Sequence, residues 1–174
     1  TVSVVLTDGP MGSGKYRLTV RESVTDVVGN LLDGDGDGAA GGDYVLNFEV
    51  ALPGGYVFEG RSNESQGLAT DLGMVEGLSG LWLGHGLGSL DGGSDQDWWV
   101  FEAGAGDRVG VAMDSVQVNG YIHLYNEAGQ ELWGENDGGP GSSDYYSYWT
   151  APAAGKYYVR VRSHGGVGTY EVRV

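Results

Sequence analysis

The sequence predicts an all-β protein, an antiparallel β-sandwich, and three observations carry that prediction. Apolar and polar residues alternate with a period of two in run after run, the pattern of a strand with one face in a core. Glycine is abundant, 34 residues against 4 prolines, and it is dispersed between the runs without a collagen-like period, as in a chain of many tight turns. No segment of about ten or more residues sustains a helical stripe.

The first run is KYRLTV (15–20). Just before it, Gly9-Pro10-Met11-Gly12-Ser13-Gly14-Lys15 matches the G-x-x-x-x-G-K of a phosphate-binding loop. Tyr16 stands where that loop needs a magnesium-binding hydroxyl, and the chain runs on into alternation rather than a helix, so a hairpin loop is expected. YVLNFEV (44–50) follows after an acidic tract, and strand pattern then gives way to PGGYVFEGRSNESQG (53–67). That shift places a domain over 1–58, a linker over 59–66 and a second domain over 67–174. The second domain carries DWWVFE (97–102), DRVGVAM (107–113), YIHLY (121–125), KYYVRVR (156–162) and GTYEVRV (168–174), each bounded by Gly, Asp or Asn. The first domain offers three or four strands by this pattern, short of the roughly seven that close a sandwich. It is expected to be part of a domain, or one completed by a neighbour's strands.

With 174 residues and 40% apolar composition the chain can build a core. Nine basic residues against 24 acidic ones give a net charge of −15, which argues against nucleic acid and for cations. Cysteine is absent, which removes disulfides, thiolate metal sites and cysteine nucleophiles together. No apolar run of about 18 residues exists, so membrane insertion is not expected. The opening TVSVVLTDG has no basic n-region, and a mature or trimmed end is the expectation.

The tract LDGDGDGAAGGDY (32–44) crowds carboxylates that repel one another unless a cation offsets them. Calcium takes roughly six to eight oxygens, and D-x-D-x-D-G supplies carboxylates at alternate positions while glycine lets the backbone curl around the ion. Asp33, Asp35 and Asp37 are the candidate ligands. Tyr44 holds the position where an EF-hand needs its glutamate, so the expectation is a β-loop cage closed by Asp43.

Catalysis finds little footing. His85, His123 and His164 stand apart, and no nucleophile-elbow or zinc motif is present, so no enzyme is expected. The aromatics are the remaining pointer to a partner. Alternation turns Ile122 and Leu124 inward and Tyr121, His123 and Tyr125 outward, with Trp133 able to join them. In DYYSYWT, Tyr146 and Tyr148 share one face and Tyr145 and Trp149 the other. Tyr121, His123, Tyr125, Tyr146 and Tyr148 are thus candidates for binding a sugar ring or an extended chain, and equally for cross-strand pairing that stabilises the sheet.

Two resemblances add to this. GKYRLTV followed by VTDVVGNLLDGDGDGAAGGDYVLNFEV resembles the closing strands of a bacterial Ig-like domain over about residues 12–50. The order SNES, SDQDWWVFEAGAGDRVGV, GYIHLYNEAGQELWGEND and YWTAPAAGKYYVRVRSHGGVGTYEVRV is similar to bacterial pre-peptidase C-terminal (PPC) domains over about 61–174. The PPC resemblance implies a jelly-roll-like sandwich appended to secreted proteases, of the group that includes collagenase collagen-binding modules. In those modules a linker of the form acid, any, acid, any, Asn, acid meets an Asp pair and holds calcium. Glu59-Gly60-Arg61-Ser62-Asn63-Glu64 lies in that register, with Arg61 at the second acid position, and Asp95 and Asp97 stand for the pair. The resemblance therefore implies one ion, held among Asn63, Glu64, Asp95 and Asp97 with Asp91 beside them.

The expected function is a non-catalytic calcium-binding module of a secreted or cell-surface bacterial protein, with calcium rigidifying loops and linker. The alternatives are a subunit of an extracellular fibre, built with neighbouring copies by strand complementation, and an accessory domain that targets an enzyme to an extracellular polymer.

Overall fold

A computed structural model describes residues 10–135 and 143–174, the side chains of 143–148 excepted. Apart from a 3-10 turn at Gln66–Leu68, every regular element is a strand. Met11–Leu52 form one compact unit and Pro53–Val174 make up the body of another.

In the smaller unit β1 (Gly14–Val20) and β2 (Tyr44–Val50) pair antiparallel from Gly14↔Val50 to Val20↔Tyr44. Tyr16 and Phe48 stand opposite each other in that register and stack with ring centroids 5.7 Å apart. Gly14 and Lys15 open a strand, as the missing hydroxyl of a phosphate loop implied. The Asp26 carboxylate accepts Val28 N, Asn30 N and Asn30 Nδ2, and these bonds hold its pKa below the usual range. Two strands bury little: Tyr44, Val45, Leu46, Val27 and Val28 all remain exposed.

The larger unit contains β3 (Tyr56–Phe58), β4 (Thr70–Asp71), β5 (Val75–Glu76), β6 (Trp82–Leu83), β7 (His85–Leu90), β8 (Gln96–Ala103), β9 (Arg108–Asp114), β10 (Asn119–Asn126), β11 (Glu131–Glu135), β12 (Ser143–Thr150), β13 (Gly155–Gly165) and β14 (Gly168–Arg173). They form two five-stranded sheets, β11-β10-β13-β8-β4 and β12-β9-β14-β7-β3, beside a small β5-β6 hairpin. Pairing is antiparallel except at one edge of each sheet, where β3 runs parallel to β7 and β4 parallel to β8. The third strand of the first stretch thus belongs to the larger unit, and the division falls at Leu52/Pro53 rather than after residue 58.

Alternation explains the core. Trp99, Phe101, Ile122, Leu124, Val159 and Val161 of one sheet meet Leu90, Val109, Val111, Met113, Tyr170 and Val172 of the other, all buried. Each such large side chain contributes roughly 1.5–3 kcal/mol by leaving water. On β7 the other inward positions are Gly86 and Gly88, because aromatic rings fill the space: a Cβ on Gly86 would sit 2.5 Å from Trp99 Cζ3. Among the described residues no helix is long and apolar enough to cross a membrane.

Candidate metal centre

The parallel edge strand β3 delivers Glu59 into the sandwich. Its ladder continues one step as Glu59 N donates to Leu87 O at 3.0 Å, and the side chain is then 92% buried, at 8% relative exposure. Glu59 Oε1 accepts Ser89 N at 3.0 Å and Ser89 Oγ at 3.1 Å, whereas Oε2 is buried and its polar neighbour is the Asp97 carboxyl. A Cβ on Gly88 would lie 2.6 Å from that Oε2, so only glycine leaves room for the carboxylate.

Asp97 shares the inward face of β8 with Trp99, and it is buried at 3% exposure beside Glu59. Tyr170 OH donates to Asp97 Oδ2 at 2.7 Å and accepts Trp99 Nε1–H at 2.9 Å. Complete burial holds the Tyr170 hydroxyl well above its ordinary pKa, so it stays a donor. Burial, reinforced by the neighbouring Asp97, pushes Glu59 up to about 9. Burial likewise pushes Asp97 up to about 6, although its bonds to Glu59 and Tyr170 pull the other way. Both acids being raised by burial, the pair shares a proton at neutral pH without a cation.

Four more predicted residues gather here. Asn63 is buried, and its carbonyl accepts Trp98 N at 2.8 Å, which seats it beside Asp97. Glu64 is tied to the start of β8 by Gln96 Nε2, which donates to its carbonyl at 2.8 Å. The charges of Asp95 and Glu64 both raise Asp97. Asp95 is itself raised, chiefly by burial, and Asp91 N donates to its Oδ2 at 2.7 Å while the Asp91 charge adds repulsion. Glu59 and Tyr170 were not among the sequence candidates. Glu59 opens the acid-rich register of the linker and Tyr170 is the tyrosine of the terminal G-x-Y, so the signal for both was present without being read as a site.

The acidic loop of the smaller unit is built differently. Oxygens of Asp33, Asp35 and Asp37 lie within 4.8 Å of one another, all three residues being exposed. Asp33 accepts Gly36 N at 2.8 Å and Gly38 N at 3.1 Å, and Asp37 accepts Ala39 N at 2.8 Å. Gly36 and Gly38 make the curl possible with φ of 75° and 88°. Asp43 does not join them: its two oxygens take Arg21 Nη1 and Glu22 N, each at 2.9 Å. A nearby guanidinium is a better partner for it than three like charges.

The aromatic candidates are placed as follows. Tyr121, His123 and Tyr125 do share the face opposite Ile122 and Leu124, but they are not an exposed stripe. His123 and Tyr125 are buried at 5% and 7% exposure, and Tyr121 is half-buried. Trp133 stands opposite Leu124 and packs against the core instead of joining them. The side chains of Tyr146 and Tyr148 lie outside the described residues, although their strand pairs with β9.

Residues 95–163 match the family model of the bacterial pre-peptidase C-terminal domain, in agreement with the resemblance read from the sequence. Domains of this family are non-catalytic modules often found in secreted proteases. Among solved structures, the chain is similar to the pre-peptidase C-terminal domain of collagenase from Bacillus anthracis, with 22% identity over 51% of this chain and 84% of that one and a TM-score of 0.42. It is also similar to PliG from Aeromonas hydrophila, a periplasmic inhibitor of g-type lysozyme, with 18% identity over 60% and 93% of the two chains and a TM-score of 0.41. No curated protein matches it.

Proposed function

We propose that this chain is a non-catalytic, calcium-binding β-sandwich module of a secreted or cell-surface bacterial protein. The observation that carries the reading is the pair of buried acids, Glu59 and Asp97, side by side and both pushed upward by burial. Leaving a carboxylate in that state is costly, and a divalent cation is the partner that makes two ionised carboxylates favourable there. Glu59, Asn63, Glu64, Asp95 and Asp97 offer hard oxygen ligands of the kind calcium takes. Bound calcium would tie the 59–66 segment to the start of β8 and so rigidify it. Asp33, Asp35 and Asp37 offer a second, exposed position for an ion.

The test is calorimetric titration of calcium into chelator-treated protein in buffers of different ionisation heat, with melting curves alongside. Binding at the buried pair must expel the proton that the two acids share, so calcium uptake at pH 7 releases protons and raises the melting temperature. The absence of both binding heat and any shift in melting would defeat the reading.

A second reading rests on the smaller unit, whose two strands leave Val45 and Leu46 exposed. Such a ribbon suits completion by strands of a neighbouring copy, which would build a fibre. Sedimentation across a concentration series in calcium checks it, and a monomer throughout rules it out.

A further inference from the structure

At the end of the sandwich away from the acid pair, the two sheets part into an open cleft of about 1190 Å³. Asp97 and Glu102 stand five residues apart on β8, about 16 Å along an extended strand, so the cleft is separate from the candidate metal centre. The β5-β6 hairpin supplies one wall, where Leu81, Trp82 and Leu83 line the cleft and remain exposed. Phe101 and Val109 reach it from the core.

A strand edge opens onto the cleft from each sheet. β4 accompanies β8 only at Thr70 and Asp71, and one step further Leu72 N donates to Val100 O at 2.9 Å. Gly73, with φ of 55° and its N–H held by Asp71 Oδ1 at 2.8 Å, then turns the chain off β8 towards the hairpin. On this edge Trp98 N donates to Asn63 O and Val100 O accepts Leu72 N, so alternate residues of β8 direct their backbone groups here. Glu102 is the next such residue, and among the described residues no strand lies beside it on this side. In the other sheet β14 accompanies β9 only from Asp114 to Ala112, which leaves Gly110 on the cleft wall. Edges of this kind are usually covered or kept from other chains, and here they border a space wide enough for one.

The charges of the lining select the occupant. Asp71, Glu102 and Asp107 line the cleft against one cation, Arg108. Among the described residues only Asp33, Asp35 and Asp37 bring three acidic oxygens within 4.8 Å, so the cleft acids are spaced along its wall rather than gathered on one ion. We propose that this cleft binds an extended basic peptide, with Lys or Arg alternating with apolar side chains, as an added strand along Glu102 of β8. An open backbone N–H and C=O select a peptide over a sugar, since main-chain bonds to a sheet edge are what an extended chain offers. Its side chains alternate, so cations on one face meet the spaced acids while apolar groups on the other meet Trp82 and its neighbours. A second copy of this chain is a poor occupant, because two chains of net charge −15 repel.

The experiment follows the Glu102 backbone amide and the Trp82 indole N–H, the latter assigned with W82F, in the full chain during titration with the acetylated and amidated hexapeptide KVKVKV at constant ionic strength. The comparison ligands are EVEVEV and a KVKVKV methylated at every internal amide nitrogen. Both signals move with KVKVKV, and neither moves with EVEVEV. Methylation removes the main-chain donors and keeps the charges, and it weakens binding by about tenfold or more. E102Q and D107N, checked for unchanged melting, each weaken it by about two- to fivefold, the worth of an exposed ion pair. Signals that stay still in KVKVKV, or move equally in EVEVEV, overturn the proposal. Equal binding of the methylated peptide overturns the assignment to an added strand.

Discussion

Asp33, Asp35 and Asp37 in one unit and Glu59 with Asp97 in the other are both crowded sets of acids, yet only the second is in difficulty. The loop trio is exposed, so water screens its charges, and backbone N–H groups already serve Asp33 and Asp37. The sandwich pair is buried, and burial pushes both acids upward. Burial rather than proximity turns a carboxylate cluster into a demand for a cation.

The sharpest way to break this contrast is removal of metal at different pH. A raised folded-state pKa for Glu59 and Asp97 means that the neutral pair adds stability fully below their unfolded values. That contribution is lost as pH rises toward about 6 for Asp97 and about 9 for Glu59. Chelated protein should therefore melt lower at pH 8 than at pH 5, and calcium should restore the loss. At about a hundredfold excess over its dissociation constant, calcium adds about 2.7 kcal/mol, a rise of roughly 5–10 °C in melting temperature for a chain of this size.

Next in size is Glu59→Gln, which keeps the bonds from Ser89 but removes the charge. Calcium affinity at the sandwich site should fall by about a hundredfold, and the pH slope of the chelated protein should flatten. Titration calorimetry and melting at the two pH values read both effects. Tyr170→Phe is smaller, because it strips Asp97 of a donor and Trp99 of an acceptor without emptying the site. A loss of about 1–3 kcal/mol in urea unfolding is expected. The smallest effect belongs to Asp35→Asn in the exposed loop. It should leave the melting of the sandwich unchanged and alter only the calcium-dependent protection of Gly34–Gly42 from subtilisin.

Alternation located all seven of the runs read as strands, because a period of two reports one buried face whatever the partner strand is. Strands of two or three residues, such as Tyr56–Phe58 and Thr70–Asp71, are too short to show a period. His85–Leu90 escaped for another reason: its inward positions are glycines, so HGLGSL reads as turn material although it lies within a sheet. The Asp pair before β8 and the Asn-Glu of the linker were legible as an acid-rich meeting point. The depth of Glu59 was not, since the parallel pairing that carries it inward joins segments far apart in sequence. The face of Tyr121, His123 and Tyr125 was likewise legible and its cover was not, because Arg160 and Arg162 come from β13.

The two inward glycines of β7 make the plainest-looking tract of the chain its least replaceable. A library varying HGLGSL would be expected to survive at His85 or Leu87 and to fail at positions 86 and 88, where even a methyl group displaces an indole or a phenol. A mould has no spare volume, and here the casting is the pair of rings that aims at the acids.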